Sequence, residues 1–87
     1  MTADPRVELY ESLAATAELP VDRTPSRVLG EAEAIASDLR DIDDPTVAAD
    51  RAQTIVDLLA EIDETGNSEA DAHVDRAREL AIQLSDQ

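Results

Sequence analysis

Between residues 25 and 42, apolar side chains recur at Val28, Ala32, Ile35, Leu39 and Ile42, alternately four and three positions apart, with Leu29 and Ala36 beside them. Residues spaced this way share one face of an α-helix, so the stretch predicts an amphipathic helix carrying a heptad seam. The same spacing returns at Ala48, Ala52, Ile55, Leu59 and Ile62, and again at Ala70, Val74, Ala77, Ala81 and Leu84 with Leu80 alongside. The first stretch is less regular. Val7, Tyr10, Ala14 and Ala17 fall on one side, with Leu9 and Leu13 next to them.

Turn chemistry divides these stripes. Asp4-Pro5, Thr24-Pro25 and Asp44-Pro45 each read as a helix start, because Asp or Thr can accept a bond from a free backbone N–H while Pro at the first helical position gives up only a donor without a partner. Ser68 with Asp71 reads as a fourth start, a variant of the capping box, after a Thr65-Gly66-Asn67 turn in which Gly66 ends the third helix. The predicted helices are about 5–18, 25–42, 45–64 and 68–85. The link from Asp41 to Asp44 is so short that the helices on either side must run antiparallel, as a hairpin roughly 27 Å long. The expected fold is all-α: this hairpin elaborated into a small three- to four-helix up-and-down bundle, with residues 1–87 as one domain. Leu19 and Val21 in the first linker are expected to tether it across the hairpin. A shift of 20 residues superposes the second and third helices, Leu39 on Leu59 and Ile42 on Ile62 among them, which shared capping and heptad rules explain without a duplication.

Composition changes this picture in two ways. Of the 37 hydrophobic residues 15 are Ala, so the core must be thin, and association with a second chain would help to close it. The 12 Asp and 9 Glu face seven cations, all Arg, for a net charge of −14 with no Lys. Such repulsion strains a fold in dilute buffer and is screened at molar salt, where the Debye length is about 3 Å. High charge with one aromatic residue, Tyr10, also marks disordered chains, but the regular apolar spacing opposes that reading. There is no Cys, no apolar run long enough for a membrane span, and an N-terminal segment too acidic for a signal peptide, so a cytoplasmic location is expected.

Candidate chemistry is sparse. His73 is the only His, with Glu69 four residues earlier on the same helical face, a geometry that could supply two metal ligands; di-metal bundles require a second His and further Glu, so a packed side chain is the expectation. Asp41, Asp43 and Asp44 cluster like ligands for a hard cation, yet the run meets Pro45 and lacks the Gly turn and terminal Glu of a calcium loop. Gly30 and Gly66 are too few for a phosphate cradle; Gly30 either permits close helix contact or costs stability. No Ser sits in a nucleophile-elbow context. Arg23 with Arg27, and Arg76 with Arg78, lie among carboxylates, so Arg27 is expected to pair with Glu31, Arg40 with Asp43 and Asp44, and nucleic acid is a poor candidate partner. No catalytic residue, cofactor or metal is expected, and the chain does not read as an enzyme.

The stretches Thr24 to Asp43 (TPSRVLGEAEAIASDLRDID) and Glu64 to Ala81 (ETGNSEADAHVDRARELA), with the acidic, lysine-free composition, resemble small uncharacterised helical proteins of halophilic archaea. That resemblance implies a lineage and a helical fold and no activity. The function expected is a non-catalytic interaction or scaffold module, binding itself as a homodimer or another protein through spare apolar positions at Leu9, Tyr10 and Leu13. A small ligand- or metal-responsive regulator built around His73 is the alternative.

Overall fold

Where an aspartate precedes a proline, a helix begins. Asp4 accepts from the Arg6 N–H at 2.9 Å, and Asp44 accepts from the N–H groups of Thr46 and Val47 at 2.8 and 3.3 Å. The computed structural model describes residues 4–86 and holds four helices: α1 (Pro5–Thr16), α2 (Arg23–Leu39), α3 (Pro45–Leu59) and α4 (Ser68–Ser85). Two expected starts are corrected. Helix α2 begins after Asp22 rather than Thr24, because the Asp22 N–H is tied to the Thr65 carbonyl at 2.8 Å while its own carbonyl accepts the first helical bond from Ser26. Pro25 still falls within the first turn, where its missing N–H loses no helical bond. Helix α4 is capped by Asn67, which accepts from Glu69 and Ala70 at 2.9 and 3.0 Å, so Ser68 is its first residue and not its cap. Asp71 is thereby free to accept the Thr65 N–H at 2.8 Å, with the Thr65 hydroxyl equally close.

The ends of the helices also differ from expectation. Helices α1, α2 and α3 stop at Thr16, Leu39 and Leu59, short of the expected 18, 42 and 64. The apolar pattern runs on through Ile42 and Ile62, but these residues sit in tight turns that bond back to Leu39 and Leu59. Burial persists there without helical geometry. Gly66, at φ 85°, serves the loop before α4 and does not end α3; a Cβ there would lie 2.8 Å from the Asp22 carboxylate oxygens.

Each helix packs on its neighbours in the chain, and α4 closes the ring against α1. Arg6 at the start of α1 reaches the end of α2, and Asp22 at the start of α2 meets the turn after α3, so the helices run alternately up and down. This is the expected all-α up-and-down bundle, in its four-helix form. Its Cα radius of gyration, 12.0 Å, is that of a closely packed chain of this length. Among the described residues, no helix is long and apolar enough to cross a membrane.

The stripes of α3 and α4 are buried as predicted: Ala48, Ala52, Ile55, Leu59 and Ile62 on one, Ala70, Val74, Ala77, Leu80, Ala81 and Leu84 on the other. Helix α2 is turned slightly from its predicted seam. Leu29, Ala32, Ala36 and Leu39 point inward, while Val28, Ile35 and Ile42 are only half-buried along one flank. Helix α1 is corrected more strongly, since its inward face is Leu9, Ser12, Leu13 and Thr16, with Val7 exposed. Thr16 is tolerated in the core because its hydroxyl donates to the Leu13 carbonyl at 2.6 Å.

Candidate functional site

Two arginines finish helices that lack a glycine stop. The last carbonyls of a helix have no intrahelical donors and carry the negative end of its dipole, so a guanidinium placed there satisfies both. Arg6 of α1 donates to the Leu39 and Ile42 carbonyls at 3.3 and 2.6 Å, closing α2. Arg78 of α4 donates to the Leu59 and Ile62 carbonyls at 2.9 and 3.1 Å, closing α3. The four acceptors are related by the 20-residue shift, so the repeat in sequence is a repeat in capping geometry. Arg76 spans α4 to α1 by hydrogen bond and ion pair to Glu8, and these raise its guanidinium above the ordinary arginine value. It stays charged throughout the ordinary pH range.

The residues expected to form an interface are placed differently. Leu9 and Leu13 have no exposed surface and belong to the core, because α1 turns them toward α4 and the hairpin. Tyr10 is half-buried, its ring under the Arg40 guanidinium at 4.1 Å. Arg40 therefore stacks on α1, and among the described residues neither it nor Arg27 forms the ion pair expected with Asp43, Asp44 or Glu31. His73 is half-buried on α4 and Glu69 is exposed. Among the described residues no group of three or more His, Asp or Glu is gathered as metal ligands. Gly30 is exposed, and a Cβ at that position would meet nothing within 4 Å, so it serves no close helix contact.

What sequence reasoning missed is the outer seam of the α2–α3 hairpin. Val28, Ile35 and Ile42, seven residues apart, line it half-buried, with Leu58 also packed at the edge of the core. At one end the seam opens into a cleft of about 310 Å³, floored by Pro25, Val28 and Ile62 and rimmed by Thr24, Glu61, Asp63 and Glu64. The heptad spacing contained this signal; reading all of Val28, Ile35 and Ile42 as core concealed it.

The geometry defines a small four-helix bundle of the all-α class, closed at its helix ends by arginines and offering an acidic cleft. The chain belongs to the family described as Domain of unknown function (DUF8152), whose model spans residues 5–87. No curated protein and no solved structure matches it.

Proposed function

We propose that this chain is a non-catalytic helical interaction module working in a high-salt cytoplasm, associating through the α2–α3 seam with a second copy or another protein. The observation that carries this reading is the stripe of Val28, Ile35 and Ile42, branched aliphatic side chains that pack against the core but keep part of their surface in water on an otherwise carboxylate-rich exterior. Apolar area at a surface is stabilised by a partner that removes it from water. The high-salt setting rests on the charge of −14 with no Lys.

Sedimentation equilibrium in molar KCl, comparing the natural chain with Ile35→Glu, tests the seam. A dimer that the substitution dissociates supports self-association there, and a monomer overturns self-association as the role of the seam. A dimer indifferent to Ile35→Glu overturns the seam as the contact surface. Circular dichroism of the same samples checks folding. It also tests the setting: the helical signal or its thermal stability should fall in dilute buffer, and equal stability at both salt levels sinks the high-salt proposal.

A further inference from the structure

The geometry points to a specific occupant for the cleft at the end of the seam: an arginine- or lysine-bearing amphipathic segment of another protein. This deepens the interaction-module reading and rests on it. The floor of Pro25, Val28 and Ile62 is apolar, whereas Glu61, Asp63 and Glu64 on the rim are exposed, and among the described residues none is in an ion pair. An aliphatic stem lying on such a floor with its cationic head at the rim is the arrangement that long basic side chains adopt. A volume of about 310 Å³ is at the small end of ligand sites and suits one or two side chains.

The location adds to the charge. The rim lies just past the C-terminal end of α3, where the helix dipole is negative, and the chain already uses guanidinium groups at this kind of position. Arg78 reaches the Leu59 and Ile62 carbonyls from the α4 side, as Arg6 does for α2. The 20-residue relation is informative here as well. Asp41 at the end of α2 follows Arg40, but the corresponding Glu61 follows Ala60; Arg78 is spent on the Leu59 and Ile62 carbonyls, and among the described residues Glu61, Asp63 and Glu64 are in no ion pair. A second copy supplies few cationic side chains for such a rim, seven Arg against 21 carboxylates.

The test is a fluorescence-anisotropy titration of the full chain with a labelled synthetic amphipathic peptide of Arg and Leu, at a salt concentration where circular dichroism shows the protein folded. The same peptide with Glu replacing Arg is the charge control. At the lowest salt that keeps the chain folded, the paired variant Glu61→Gln, Glu64→Gln should weaken binding by about threefold, an effect that shrinks as KCl rises, while Glu11→Gln, Asp38→Asn, with the same change in net charge, should alter it by less than about 1.5-fold. All four carboxylates are exposed, so these substitutions leave the core intact, and Val28→Ser should weaken binding independently of charge. Equal losses from both carboxylate pairs would show diffuse attraction and overturn the cleft. Absence of peptide binding would overturn it too. In that event a seam-dependent dimer in sedimentation would keep the interaction-module reading alive, whereas no association in either experiment would end both.

Discussion

Helices α1 and α4 lie side by side against the same hairpin, but they are held there by different means. Helix α4 buries six apolar residues along its length, from Ala70 to Leu84, and adds Arg78 at the end of α3. Helix α1 is shorter and buries two leucines beside Ser12 and Thr16. It is tied further by Arg6 to α2, by Glu8 to Arg76, and by Tyr10, which packs at the edge of the core under Arg40. An element with little apolar burial and exposed polar ties opens at lower free energy than one fixed in the core. The difference predicts that α1, with fewer buried apolar residues than α4, opens before it.

The largest test of that contrast is truncation of a buried leucine on each side. Leu13→Ala and Leu80→Ala should each cost about 2–5 kcal/mol in urea denaturation at molar KCl, but only Leu13→Ala should free the α1 amides to exchange while those of α4 stay protected. Equal exchange in both helices would break the comparison. Next come the helix-end arginines. Arg6→Ala and Arg78→Ala should each lower stability by about 1–2 kcal/mol, read from the same denaturation curves, with the loss in Arg6→Ala concentrated in α1 exchange. A smaller change of opposite sign is expected from Gly30→Ala on the open face of α2: a gain of about 0.5–1 kcal/mol in global stability. If α1 opens while α2 remains helical, this gain should leave the local opening of α1 unchanged in hydrogen exchange. The smallest effect is assigned to Glu8→Gln, which removes an exposed pair with Arg76; its thermal shift should disappear in molar KCl, and a shift independent of salt would show that the pair does more than offset charge.

The contrast also explains what could be read in advance. Helices α3 and α4 were legible because their inward positions are uniformly apolar, so the period alone locates the face. On α1 the inward positions include Ser12 and Thr16, and Thr16 is accommodated by a bond to its own helix that no apolar pattern announces. The start of α2 was displaced for a similar reason: Thr24-Pro25 carries the local signal, but the bond from Asp22 to Thr65 comes from a distant turn. Ile42 and Ile62 extended the stripes past the helix ends because burial continues in a turn, and neither end has a glycine to mark the stop. Of the candidate site, the carboxylates Glu61, Asp63 and Glu64 were visible as ordinary surface charge. Their pairing with an apolar floor needs Pro25 and Val28 from α2 beside Ile62, a neighbourhood created by folding.

The position of Tyr10 gives the molecule a built-in optical reporter. As the sole aromatic side chain, it makes intrinsic fluorescence a property of one site, and that site is the contact of α1 with Arg40. Far-ultraviolet circular dichroism, in contrast, sums over all four helices. The two signals therefore separate docking of the first helix from formation of the rest without any label. In a refolding experiment, recovery of the tyrosine signal after the helical one would time the closure of the ring.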